Sequence, residues 1–104
     1  MSIIKFDSIF QMKIFFTLIN NPKGLTRDSI YKKTDIAKTT IIDNIQKLNK
    51  QFINSIPYIK QYRQYNNLKG RPKTIFYIPK IIRNDFLQIN TPIIKVNNQI
   101  LNSN

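Results

Sequence analysis

The amino-acid sequence predicts an α+β domain in which three helices precede a β-hairpin, with a short C-terminal extension. Three observations lead to this fold class. Apolar side chains recur at helical spacing in three segments before residue 53. Clusters of Asn, Gly, Pro and Thr/Asp separate those segments. After residue 55, two runs rich in Tyr and β-branched residues flank an Asn/Gly/Pro loop, which is typical of a hairpin.

The first helix is predicted over residues 8–20. Asp7 or Ser8 can cap its N-terminus, and the turn-forming residues 20–24 end it. Helical spacing predicts a buried apolar stripe along one face of this helix, and neighbouring apolar residues widen it. This stripe comprises Ile9, Met12, Phe16 and Ile19, widened by Phe10, Phe15 and Leu18.

A short second helix is predicted over residues 27–33, capped by Thr26 and with Leu25 packing on Ile30 across the cap. After a turn at residues 34–35, a third helix is predicted over residues 38–52. At about 100° per residue, one face of this helix is apolar, and the opposite face is polar and basic except for Ile42. The apolar face comprises Ala37, Ile41, Ile45, Leu48 and Phe52.

The hairpin strands are predicted over residues 56–65 and 73–78, with Pro57 and Pro79 at strand ends. The domain is therefore assigned to residues 1–79. The extension, residues 80–104, is predicted to form a short helix or an extended cover and to end in a polar segment, 97–104, that frays. Its apolar residues favour either dimerisation or packing on its own domain.

Residue types that are missing from the sequence exclude whole classes of function. The chain has 104 residues, with 17 Lys and Arg against 5 Asp, and it has no Glu, Cys, His or Trp. Without Cys there is neither a disulfide framework nor a thiolate zinc site. Without His and Glu, the usual catalytic bases and most metal ligands are missing. We therefore expect a protein that is not an enzyme and that uses no cofactor or metal.

The net charge of +12 is concentrated in one part of the chain. Residues 1–43 hold seven basic and four acidic side chains, residues 44–84 hold nine basic and none acidic, and residues 85–104 hold one of each. A charge that served only solubility would be spread more evenly. The concentration predicts a surface that binds a polyanion.

The sequence also indicates where the protein works. Ile, Lys and Asn, which have AT-rich codons, make up 47 of the residues, which indicates an AT-rich genome such as that of some archaea, viruses, plasmids or organelles. No stretch is apolar for long enough to span a membrane, and the run at 14–19 lacks a signal-peptide cleavage site. We expect a cytoplasmic, DNA-associated location.

Four sequence segments carry a resemblance to a known family. Residues 21–26 are similar to its loop and cap between the first two helices, and residues 36–41 to the start of its recognition helix. Residues 70–72, followed by 75–77, are similar to its wing tip and return strand. In this order, residues 11–78 resemble a winged helix-turn-helix domain of MarR-like and ArsR-like regulators. Two positions depart from the pattern: Asp35 replaces a Gly, and Ala37 replaces a Ser cap.

The resemblance implies a sequence-selective regulator of transcription that binds double-stranded DNA as a homodimer. The third helix would enter the major groove, and the wing would contact the minor groove or the backbone. Gly70 and Arg71 belong to a Gly-Arg-Pro element that suits narrow, AT-rich minor grooves. The candidate DNA-binding residues are Lys38, Thr39, Thr40, Asp43, Gln46, Lys47 and Lys50 on the helix, and Arg63, Lys69, Gly70, Arg71 and Lys73 on the wing.

The candidates have different predicted roles. Lys47 and Lys50 are assigned to phosphates, and so are Lys69, Lys73 and Arg63 beside the wing tip. Asp43 either accepts a hydrogen bond from cytosine or repels nearby phosphates.

Other functions remain open at this stage. A replication or architectural factor of a plasmid or virus would use the same fold on DNA. A structural RNA-binding protein of an organellar ribosome would also be basic, and a winged helix can bind protein alone. Tyrosines of the hairpin region either stack on single-stranded bases or pack across strands and on the core. These tyrosines are Tyr58, Tyr62, Tyr65 and Tyr77.

Overall fold

The computed structural model describes residues 3–53, 55–65, 70–87, 93–96 and 99–102. Within these ranges the chain is a small α+β domain with four helices and eight strands. In chain order they are β1 (Ile3–Phe6), α1 (Ile9–Ile19), β2 (Leu25–Thr26), α2 (Arg27–Thr34), α3 (Lys38–Leu48), β3 (Phe52–Ile53), β4 (Ile56–Pro57), β5 (Lys60–Gln64), β6 (Lys73–Tyr77), α4 (Lys80–Leu87), β7 (Ile93–Val96) and β8 (Gln99–Asn102).

Helix α1 confirms the predicted segment and most of the predicted stripe. Its N-cap is Ser8, whose hydroxyl accepts a hydrogen bond from the backbone N–H of Gln11. The predicted Phe15, Leu18 and Ile19 are buried, and Met12 and Phe16 are partly buried and pack against the core. Ile9 and Phe10 are exposed, contrary to the prediction, and Gln11 and Ile14 are buried without having been predicted. The helix is apolar on most sides, so periodicity alone did not define the limits of the buried stripe.

Helices α2 and α3 meet at the predicted turn. Thr26 caps α2 through its side chain, as predicted. Asp35, at the position where the resembled family has Gly, adopts a left-handed conformation with φ 60° and ψ 23°. Ala37 precedes α3 without a side-chain cap, also as predicted.

The predicted C-terminal end of the third helix is wrong. Helix α3 stops at Leu48, and the side chain of Asn49 accepts a hydrogen bond from the backbone N–H of Ile59 at 2.9 Å. This bond ties the helix end to the chain returning from β4. Phe52 therefore lies in β3, opposite Pro57, and is 59% exposed instead of buried. Ala37 is also exposed, because it precedes the first turn of the helix.

The predicted hairpin is confirmed as part of a three-stranded antiparallel sheet of order β2-β6-β5. Strand β5 pairs with β6 from Lys60 opposite Tyr77 to Gln64 opposite Lys73. The first hairpin strand is shorter than predicted, because residues 56–57 pair with β3 instead. Strand β2 adds to the other edge of β6, with Leu25 opposite Phe76. This edge connects the helices to the hairpin.

A second sheet joins the two ends of the chain. Strand β1 pairs in parallel with β7, and β7 pairs antiparallel with β8, so the sheet order is β1-β7-β8. The sequence analysis assigned no strand to either end. The predicted fraying of residues 97–104 is wrong for residues 99–102, which form β8. Neighbours in sequence give no signal for a pairing between the two termini, because the partner strands are separated by most of the chain.

An aromatic cluster holds α1, α4 and the sheet connections together. The ring centroid of Phe15 lies 5.5 Å from that of Phe6, 5.9 Å from that of Tyr58 and 5.5 Å from that of Phe86. Residues 80–87 form the predicted short helix, and its Ile82 and Phe86 are buried in the same core. This part of the extension packs on its own domain.

Candidate nucleic-acid interface

Helix α3 presents one polar face to solvent, because Ile41, Ile45 and Leu48 are directed into the core. Of the predicted contact residues, Thr40 is half-buried, and its carbonyl accepts a hydrogen bond from the buried side chain of Asn44. The exposed ones are Lys38, Thr39, Asp43, Gln46, Lys47 and Lys50. Lys50 lies beyond the end of α3 and not in its last turn as predicted.

Lys38, at the start of α3, is held by α2. Its Nζ lies 2.9 Å from Oδ1 of Asp28 and 5.7 Å from the centroid of the Tyr31 ring. A hydrogen bond and the positive charge of Lys38 lower the pKa of Asp28 below its ordinary value of 3.8. Asp28 is therefore fully ionised at neutral pH, and Lys38 already has an anionic partner.

The carboxylate of α3, Asp43, also has a cationic partner. Oδ2 of Asp43 lies 3.1 Å from Nζ of Lys47, one helical turn further along the same exposed face. Asp43 therefore offsets part of the positive charge of α3. Its predicted contact with cytosine stays a prediction.

The hairpin presents its predicted cations to solvent. Arg63 on β5, Arg71 before β6 and Lys73 at the start of β6 are exposed. Gly70 is exposed too, and no heavy atom lies within 4 Å of the position that a Cβ would take there. Lys69 lies outside the described residues. The four described wing residues are accessible from solvent.

Arg83 belongs to the acid-free block of the sequence, but its side chain has a structural partner. Its guanidinium donates hydrogen bonds to the carbonyls of Leu18 and Ile19, the last two residues of α1. These carbonyls have no partner within their own helix, and a cation also favours the negative end of the helix dipole. Arg83 therefore fastens α4 to α1. Because its guanidinium is used in this way, Arg83 is not a candidate for contact with DNA.

The tyrosines of the hairpin region divide into packed and exposed side chains. Tyr58 is 4% exposed and packs on Phe15, so stacking on bases is wrong for this residue, and burial raises the pKa of its hydroxyl. Tyr77 and Tyr62 make an edge-to-face contact across the two strands, at 5.7 Å between ring centroids. Tyr65 is 75% exposed. The cross-strand alternative is confirmed for one pair.

Helix α2, helix α3 and the hairpin border a single open groove of about 590 Å³. Arg27 and Lys32 line it from α2, Ile42 from α3, and Gln61 and Lys73 from the hairpin. Arg27 and Lys32 are not among the residues predicted from the sequence to contact DNA. Ile30 is the buried position of α2, so the cations on either side of it were a usable signal for the exposed face of that helix.

No protein-family model matches the chain, and comparisons with curated proteins and with solved structures find no match either. None of the helices in the described ranges has the length and apolar character needed to cross a membrane.

Proposed function

We propose that this protein binds double-stranded DNA selectively as a winged helix-turn-helix domain and regulates transcription. One observation carries the proposal: α2, α3 and the hairpin share one groove, and about half of their exposed side chains are cationic. The two carboxylates on these elements, Asp28 and Asp43, are each paired with a lysine. The combined surface is strongly positive, as a polyanion-binding surface must be.

The order of the elements supports the fold in this proposal. A helix, a short strand, two helices joined by a tight turn and a hairpin follow one another in the chain. The short strand joins the sheet beside the second hairpin strand, in the order β2-β6-β5. The hairpin contacts α2 and lines one groove together with Ile42 of α3, which supports its comparison with a wing beside a recognition helix.

In the proposed complex, α3 enters the major groove, because a helix has about the right width for it. Thr39 and Gln46 are the exposed, uncharged side chains of α3 that can read base edges. Lys47 and Lys50 contact phosphates and provide affinity without sequence information. On the wing, Arg71 enters a narrow, AT-rich minor groove, where the negative potential is enhanced.

Binding to three nucleic acids across a salt series tests the proposal. We expect the full chain to bind a short AT-rich duplex more tightly than single-stranded DNA or structured RNA at each salt concentration. The logarithm of the affinity should fall steeply with the logarithm of the salt concentration, because bound phosphates release counterions. No preference for the duplex at any salt concentration would contradict the proposal, and a preference for RNA would favour a structural RNA-binding role instead.

Two substitutions separate base reading from phosphate contact. Arg71→Ala should weaken binding to AT-rich duplexes more than to GC-rich ones, whereas Lys50→Ala should weaken both about equally. Lys13→Ala is the matched control, since Lys13 is exposed on α1 and does not line the shared groove. Equal losses from Arg71→Ala on both duplexes would remove the minor-groove role. Selection of duplexes from a random pool would then give the preferred site.

The regulatory role and the homodimer are part of the same proposal. A factor that acts at a plasmid or viral origin is the alternative on DNA, and the position of the selected sites in the source genome distinguishes the two. Sites upstream of genes support regulation, and sites confined to an origin support replication. Sedimentation of the chain with and without a two-fold symmetric site measures whether two copies bind.

A further inference from the structure

The groove between α2 and the hairpin contains three cations without a carboxylate partner in the described structure. Arg27 and Lys32 extend from α2, and Lys73 extends from the opposite wall on β6. The ion pairs formed among the described residues are Lys38 with Asp28 and Lys47 with Asp43, and neither uses these three side chains. Among the described residues, no carboxylate forms an ion pair with these three cations, although Asp28 interacts with Arg27 and Lys32 at longer range.

We propose that this groove holds the sugar-phosphate backbone of one DNA strand, with Arg27 and Lys32 contacting neighbouring phosphates from one side and Lys73 contacting the strand from the other. This inference rests on the proposed DNA binding and extends the interface to α2. It assigns a binding role to two residues that belong to neither the recognition helix nor the wing. Helix α2 thereby becomes a contact element as well as a support for α3.

The lining of the groove suits a nucleic-acid backbone in particular. It is partly open to solvent and mainly polar, so it suits a charged backbone better than an enclosed apolar molecule. Buried Phe76 and half-buried Ile42 and Pro72 supply apolar surface against which a deoxyribose can pack. The side chains of Gln61 and Thr74 also line the groove and provide further hydrogen-bond donors.

Asp28 also lines this groove, and its negative charge opposes an anionic occupant. Its carboxylate bonds to Lys38, which offsets part of that charge. The cations that line the groove, Arg27, Lys32 and Lys73, outnumber this one carboxylate, so the net charge of the lining stays positive.

Salt dependence of duplex binding by single variants is the first test. Arg27→Gln and Lys32→Gln should each reduce the slope of log affinity against log salt by about one, as expected for one lost phosphate contact. Lys13→Gln removes the same charge from an exposed position outside the groove and should leave the slope unchanged. Thermal unfolding of each variant verifies that the fold is intact.

Uncharged methylphosphonate linkages, placed singly in the bound duplex, provide the second test. A neutral linkage at the phosphate held by the groove should weaken binding of the unmodified protein and cause no additional loss in Arg27→Gln. Two results together would show that the groove proposal is wrong while DNA binding stands. The first is a salt slope for Arg27→Gln and Lys32→Gln equal to that of Lys13→Gln. The second is that both variants lose affinity at every neutral linkage, as the unmodified protein does. If the unmodified protein does not bind the duplex at all, both proposals are wrong.

Discussion

Nζ of Lys38 lies 2.9 Å from Oδ1 of Asp28, so a lysine predicted to face DNA is already paired with a carboxylate of the preceding helix. The ring of Tyr31 lies beside the same ammonium, at 5.7 Å from its centroid. Both partners belong to α2, and the pair connects the two helices across their turn. A DNA phosphate approaching the start of α3 must therefore compete with Asp28 for Lys38.

We expect Asp28→Asn to tighten binding to duplex DNA, because it releases Lys38 and removes a negative charge that repels phosphates. The gain should be largest at low salt and shrink as salt screens the charges. Fluorescence anisotropy with a labelled duplex measures the effect. Asp7→Asn removes the same charge from an exposed residue outside the groove and is the control. Equal gains from both variants would show that only net charge matters.

The pKa of Asp28 gives a test of the ion pair that needs no DNA. A carboxyl with a lowered pKa stabilises the folded state above its ordinary pKa of 3.8, and this stabilisation is lost as the pH falls through the lower folded value. Carboxyl NMR should find the Asp28 midpoint below 3.8 in the unmodified protein and shifted upward in Lys38→Gln. An unchanged midpoint in Lys38→Gln would contradict the pairing in solution.

Local signals predicted most of the helix boundaries and the hairpin, because caps and turns act over a few residues. Ser8 and Thr26 cap their helices as expected, and Asp35 supplies the left-handed turn. The burial of the polar Gln11 on α1 could not be predicted in this way. Its side-chain oxygen accepts the backbone N–H of Asp7, a bond that depends on the cap geometry.

Long-range contacts account for the other errors. The end of α3 depends on the bond between Asn49 and Ile59, and the parallel pairing of β1 with β7 joins opposite ends of the chain. The candidate site was predictable where exposed cations follow helix and strand periodicity. The role of Arg83 was not, because its carbonyl partners on α1 are distant in sequence.

Arg83 should be essential for stability and dispensable for DNA contact. Arg83→Gln removes charged hydrogen bonds to two carbonyls of α1 and should lower the free energy of unfolding by about 2 kcal/mol. Chemical denaturation measures this loss. At a temperature where the variant is folded, the salt slope of its duplex binding should equal that of the unmodified protein, whereas Arg71→Gln should show the reverse pattern. A reduced slope for Arg83→Gln would place this arginine on DNA.

Phe15 and Phe52 should differ sharply in their contributions to stability, although both are phenylalanines in predicted helices. Phe15 is fully buried and contacts several other rings, so Phe15→Ala should cost about 3–5 kcal/mol. Phe52 is 59% exposed, so Phe52→Ala should cost less than about 1 kcal/mol. Denaturation midpoints of both variants test this. A large loss from Phe52→Ala would support the predicted burial of that residue against the observed strand β3.

Gly24 should tolerate no side chain, because it lies where β2 approaches β6. Its φ is +90°, and an added Cβ would lie 2.6 Å from Cγ2 of Ile75 and 2.7 Å from the carbonyl oxygen of Phe76. The second clash is with backbone, so relief requires β2 to move away from the sheet. We expect Gly24→Ala to lower the free energy of unfolding by about 2–4 kcal/mol.

Gly70→Ala distinguishes the cost of the steric clash at Gly24 from the cost of placing a side chain on a backbone with positive φ. Gly70 also has a positive φ, of 157°, but an added Cβ would meet no heavy atom within 4 Å. Its loss of stability in the same denaturation experiment should therefore be clearly smaller than that of Gly24→Ala. Equal losses would mean that backbone conformation alone sets the cost. In that case the close approach of β2 to β6 would not be what links the helices to the hairpin.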